Sequence, residues 1–107
     1  MRRAARVDRN QQEIVQHLRK LGATVQPLHT VGQGCPDLIV GYGGVNFLIE
    51  IKDGEKPPSA RKLTPDEQAW HDDWCGQVCV VTCTWDCDLL LRFDEIVGDQ
   101  DDARQDT

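Results

Sequence analysis

Two carboxylates and a lysine fall within one short stretch of the chain, GCPDLIVGYGGVNFLIEIKDG, residues 34–54. Asp37 opens one apolar run, and Glu50 and Lys52 stand at the end of the next. Gly43-Gly44 between the runs suits a two-residue hairpin turn, because both central positions of a type I′ turn need φ > 0. Counting outward from that turn, Tyr42 faces Val45 and Asp37 faces Glu50. Facing residues have Cβ atoms about 4.5–5.5 Å apart, so two like charges there repel unless something cationic lies between them. Alternation puts Asp37, Ile39, Gly41, Asn46, Leu48, Glu50 and Lys52 on one face, and Leu38, Val40, Tyr42, Val45, Phe47, Ile49 and Ile51 on the other. The second set is continuously apolar and must be core. The first set, with two carboxylates and a lysine, offers oxygen ligands to a hard divalent cation such as Mg²⁺, with the Ile51 carbonyl as a third donor. Lys52 would orient or deprotonate an attacking water or stabilise charge on a phosphorane-like transition state, which is machinery for hydrolysing a phosphodiester. The structural alternative is a solvated strand end in which Lys52 simply neutralises the acids.

Other elements must position this hairpin. Ile14, Leu18 and Leu21 share a helical face with Val15 beside them, and Gly22 is a stop signal, which predicts a helix from about Asp8 to Leu21. Asn10 with Glu13 resembles a capping box. Glu13, His17 and Lys20 form a second, polar face that could border a site. Ala23 to Leu28 reads as a short strand. After the hairpin, DGEKPPSARKL (residues 53–63) is a mobile basic loop carrying Lys56, Arg61 and Lys62. Thr64-Pro65-Asp66-Glu67 then supplies an N-cap, Pro at the first helical position and a capping-box Glu, predicting a helix from Pro65 to about Cys75 with Trp70 and Trp74 on its core face. Val78 to Cys83 reads as a strand, and Asp86 to Val97 as a helix on the spacing of Leu89, Leu90, Phe93 and Val97. The expected order is αβββαβα.

This order of residues resembles a known family. Pro36-Asp37 followed by Glu50-Ile51-Lys52 matches the PD-(D/E)XK signature of restriction-endonuclease-like nucleases. The wider pattern adds Glu13 in the first helix, Gly34-x-Pro36-Asp37-Leu38, and Leu63-Thr64-x-x-x-Gln68. It is similar to the virus-type replication-repair nuclease (VRR-NUC) domain, especially the small stand-alone phage and prophage members, and spans roughly residues 8–90. The resemblance implies an α/β fold with an αβββαβ core, in which helices flank a mixed sheet. It also implies that Asp37 and Glu50 bind metal, that Lys52 is catalytic, that Glu13 assists metal binding, and that Gln68 contacts substrate or positions water or the lysine. Mg²⁺ would be the cofactor, with Mn²⁺ able to substitute. The implied substrate is DNA, including four-way (Holliday) junctions, and the implied assembly is a homodimer. A rival from another class is an accessory module that keeps the fold and some DNA affinity but does not turn over.

Composition frames these expectations. The 107-residue chain fits one domain with a modest core, expected over residues 1–97, followed by a disordered acidic tail over 98–107. No apolar run is long enough to span a membrane, and MRRAARVDRN is not followed by the apolar stretch of a secretion signal, which favours the cytoplasm. The net charge of −6 disfavours a polyanionic partner, but residues 1–30 hold six bases against two acids. That basic arm, with Arg6 and Arg9, and the loop bearing Lys56, Arg61 and Lys62 are the candidate phosphate contacts. The five cysteines are odd in number and lack a turn between Cys79 and Cys83. A strand would hold those two too far apart for one zinc, so the sulfurs read as buried apolar groups in a reducing compartment.

Overall fold

A computed structural model describes residues 9–92. Arg6, the boundary at 97 and the acidic tail lie outside the described residues. Helix α1 runs Gln11–Lys20, β1 Thr24–Pro27, β2 Leu38–Tyr42 and β3 Val45–Ile51; a single 3₁₀ turn, Pro58–Arg61, precedes helix α2, Pro65–Asp73, and strand β4, Cys79–Val81. Residues 84–92 are helical and are called α3. The chain therefore follows the expected order, as an α/β fold with a four-stranded mixed sheet.

The strands lie in the order β1-β2-β3-β4. The first two pairings are antiparallel, whereas β3 and β4 are parallel. A parallel neighbour cannot follow through a tight turn, so the basic loop and α2 form the crossover between β3 and β4. The hairpin register is the one the glycine pair dictates: Tyr42 faces Val45, and Leu38 faces Ile49. Gly43 and Gly44 have φ of +60° and +82°, which side chains rarely tolerate.

One face of the sheet carries the core. Leu38, Val40, Phe47, Ile49, Ile51 and Val81 are buried against Ile14, Val15 and Leu18 of α1 and against Cys87 and Leu91 of α3. Fully burying an aliphatic side chain of this kind contributes about 1.5–3 kcal/mol, so truncating Leu18 in this cluster would cost about 2–5 kcal/mol. Val45, at the hairpin tip, is exposed, and so is Leu21, which ends α1 as its C-cap instead of extending the apolar stripe.

Several sequence expectations need correction. Asn10 does not cap α1 with its side chain; its amide donates to the carbonyls of Lys52 and Thr82, at 3.2 and 3.0 Å. Those carbonyls lie just beyond the ends of β3 and β4, and part-buried backbone acceptors need a donor. Trp70 and Trp74 are not core. Helix α2 buries no residue, and the two indoles stack on each other at 4.6 Å with planes 19° apart, Trp74 being exposed. The cysteines also divide: Cys87 is buried, whereas Cys75 and Cys83 are exposed, so the apolar role suits only part of the set. Strand β4 and helix α2 both end two residues earlier than the spacing suggests.

Candidate functional site

The second sheet face holds the chemistry. Asp37 precedes the first residue of β2, directly beyond the Leu38–Ile49 pair, which sets it beside Glu50 as the register predicts. Its Oδ2 accepts a hydrogen bond from the Ile51 amide at 2.7 Å. A residue's N–H and C=O leave an extended strand on the same edge, so the Ile51 carbonyl faces Asp37 as well. Glu50 is 2 % exposed. Its Oε1 is buried without a hydrogen-bond partner, and its Oε2 lies 3.9 Å from Lys52 Nζ.

Burial, reinforced by the Asp37 charge and then by Glu67, pushes the Glu50 carboxyl up to about 10. A carboxyl so placed keeps its proton at neutral pH unless a cation offsets the cost of ionising it. The same surroundings act on the half-buried Cys35, whose thiol is raised by burial and then by Glu50 and Asp37.

Glu67, read from sequence only as a capping residue, belongs to this cluster. One oxygen, Oε1, accepts from Lys52 Nζ at 2.7 Å and from the Thr64 amide at 2.9 Å. The Thr64 hydroxyl accepts in return from the Glu67 amide at 3.2 Å, completing the capping box. Burial alone would raise the Glu67 carboxyl, but the hydrogen bonds from Lys52 and Thr64 and the lysine's charge outweigh it and hold the group below its ordinary value. The start of α2 is thus tied to the end of β3. Gly34 permits that approach: its φ is +84°, and a Cβ there would collide with the Asp66 carbonyl.

Other sequence candidates lie elsewhere. Gln68 is exposed and donates to Asp72 Oδ1 at 2.8 Å, one turn along α2. Glu13 is exposed on α1, which packs on the core face of the sheet; it lines a cavity of about 320 Å³ with Asn10, Asp53, Glu55 and Thr82, a set without Asp37 or Glu50. Arg9 is engaged by acids, with Nε 3.8 Å from Asp53 and Nη2 3.4 Å from Glu55. Lys56 and Lys62 are exposed in the loop before α2, and Arg61 is half-buried. His17 and Asp88 meet at 2.7 Å on the α1–α3 side.

The site fits a hard cation in its donor chemistry: two juxtaposed carboxylates, a carbonyl on the same side, and one buried carboxylate oxygen left without a protein donor. Among the described residues, no three His, Cys, Asp or Glu side chains converge as a complete ligand set, so backbone, water or substrate oxygens would have to finish the shell.

A sheet of this order, with a hairpin that presents an acid pair and a crossover helix anchored on the lysine, defines a restriction-endonuclease-like α/β domain. A solved structure described as "VRR_NUC domain" resembles the chain with a TM-score of 0.59 and 27 % identity, over 83 % of this chain and 97 % of that one. No family model matches the sequence, and no curated protein does. The chain carries a VRR-NUC-like domain, as the order of Asp37, Glu50 and Lys52 implied.

Proposed function

We propose that the protein is a divalent-metal-dependent DNA endonuclease that cuts at the Asp37–Glu50–Lys52 row, with Mg²⁺ as its natural cofactor and branched DNA, four-way junctions included, as its preferred substrate. The observation that carries this reading is Glu50: a buried carboxyl held against two other carboxyls, Asp37 and Glu67, is costly to maintain in a site that never receives a cation. The likeness to a VRR_NUC domain supports the phosphodiester chemistry.

Asp37, Glu50 and the Ile51 carbonyl are the groups that would hold the ion. When bound, it would polarise a phosphoryl oxygen and lower the pKa of a water at the reacting phosphorus. The protein's own part is positional. The Ile51 amide orients the Asp37 carboxylate, burial keeps water off Glu50, and Glu67 holds the Lys52 ammonium beside the acid pair, where it meets charge developing on the phosphate. Two incisions placed symmetrically in a junction need two such sites, so the proposal includes a homodimer.

Cleavage of end-labelled four-way junction, splayed and linear duplex DNA tests this, using wild type and Asp37→Asn with Mg²⁺, Mn²⁺ or chelator. The expected result is paired nicks in the junction that require metal and fall at least about 10²–10³-fold in Asp37→Asn, the scale of losing a preorganised charge at a reacting centre. A fully active Asp37→Asn protein would sink the site. Metal-independent binding without cutting would favour the accessory-module reading.

A further inference from the structure

We infer that the uncharged half of the second sheet face, formed by Thr24, Gln26, Ile39, Gly41 and Asn46, is the track along which the substrate strand runs from the cut phosphate. This rests on the nuclease reading and says where the polyanion lies on the protein.

The register makes the track continuous with the acid pair. Thr24 faces Gly41, which faces Asn46, and Gln26 faces Ile39, which faces Leu48. Alternation places these rows on the same face as Asp37 and Glu50. Thr24, Gln26 and Asn46 are exposed over half-buried Ile39, Gly41 and Leu48, and the five residues of the track, with Val25, line a depression of about 280 Å³. Gly41 keeps its floor low: a Cβ there would stand 2.8 Å from Thr24 Oγ1 and 3.7 Å from Asn46 Oδ1.

Charge selects this route over its neighbours. On one side of the acid pair, α2 presents exposed Asp66, Asp72 and Asp73. Just beyond the outgoing ends of β3 and β4, the cavity beside α1 is lined by Glu13, Asp53 and Glu55. The exposed bases on the α2 side, Lys56 and Lys62, lie in the loop before the helix, so a phosphate backbone crossing the acidic face of α2 or that cavity would meet like charge, whereas the track presents only hydroxyl, amide and apolar groups. Neutral donors of that kind commonly fix a nucleic-acid backbone without reading sequence. Asn46 stands four residues up β3 from Glu50, about 13 Å at ~3.3 Å per residue, or roughly four base steps at ~3.4 Å each.

The track therefore predicts a length-dependent effect. On duplex DNA with the wild-type cut position mapped, Asn46→Glu is expected to raise KM about tenfold, through one close like charge, while kcat stays within about twofold. Asn46→Gln, which keeps a neutral amide, should behave as wild type. On duplex trimmed to end about two nucleotides from the cut on the track side, inside the roughly four-step reach, Asn46→Glu and wild type should become equal. An unchanged KM for Asn46→Glu on the long duplex, or an equal rise on both lengths, overturns the inference. Should wild type cut nothing, gel-shift affinities of the same proteins and duplexes decide: the track stands on a loss confined to long duplex and falls without one. Asn46 is exposed beside the hairpin turn, so its variants are expected to fold; their thermal unfolding checks this.

Discussion

Glu50 and Asp53 are both buried acids at the outgoing end of the same strand, yet the protein treats them oppositely. Asp53 is given partners: the Glu55 amide donates to Oδ1 at 3.0 Å, and the Arg9 guanidinium lies 3.8 Å from Oδ2. Its carboxylate folds the start of the basic loop and pins the α1 end to it. Glu50 is instead set against the carboxyls of Asp37 and Glu67, with the nearest lysine ammonium drawn 2.7 Å from Glu67 and 3.9 Å from itself. A buried acid with donors is part of the architecture, whereas one beside another acid is held ready for something the chain does not supply.

Replacing Glu50 should break that contrast most severely. Metal-free, the folded protein keeps the Glu50 proton up to about pH 10, while the unfolded chain releases it near 4.5. The folded state thus binds more protons between those values, and wild-type stability falls as pH rises through that window. Glu50→Gln is neutral in both states and should lose this slope. At pH 8 it should melt well above metal-free wild type, since each ~1 kcal/mol moves a domain of this size by roughly 4–8 °C. Saturating Mg²⁺ should narrow that gap, because an ion at 100 times its Kd stabilises wild type by about 2.7 kcal/mol and Glu50→Gln hardly at all. Thermal melts across pH with and without Mg²⁺ check both halves. An equal Mg²⁺ response in the two proteins would remove Glu50 from the ligand set.

The hairpin was readable in the sequence because two local rules determine it. A Gly-Gly turn sets the register, and period-two alternation assigns the faces, so the Asp37–Glu50 row followed from counting. The partner of Lys52 was not readable. Glu67 occupies a capping position with a complete local explanation, and its contact with Lys52 exists only because the β3–β4 crossover brings the two together. Gln68 was the sequence candidate, yet on α2 it lies one residue round the helix, about 100° from Glu67, and pairs with Asp72. The Trp70–Trp74 spacing misled for a related reason. Aromatic periodicity reads as a buried stripe, but α2 is positioned by its N-terminal cap and by Gly34, so its indoles need not face a core.

Glu67 offers a sharper test of how the second face is held. Glu67→Gln retains a side-chain carbonyl to cap α2 but removes the charge that holds Lys52. It should unfold close to wild type while kcat drops about 10–100-fold, the usual scale for groups that orient a metal site's inner residues. Glu67→Ala should lose similar activity and also about 1 kcal/mol of stability through the missing cap. If Glu67→Gln keeps full activity, the Lys52 contact is structural. The charge then matters no more than any exposed pair, whose worth is about 0–1 kcal/mol.

Asp53→Asn should have the smallest effect, and its smallness is what gives the comparison force. The amide can still accept from the Glu55 N–H through its carbonyl oxygen, so the loop turn survives. What disappears is the Arg9 attraction, across 3.8 Å from a side chain that is 76 % exposed, together with the charge-assisted part of the hydrogen bond. Together these amount to about 1 kcal/mol or less. Mg²⁺ should stabilise this variant as much as it does wild type, and cleavage should stay within about twofold, since Asp53 shares its cavity with Glu13 and not with Asp37. A large loss of the Mg²⁺ response in Asp53→Asn would mean that the cation sits on the α1 side of the sheet. That would move the candidate centre to the Glu13 cavity and leave the Asp37–Glu50 repulsion without a purpose.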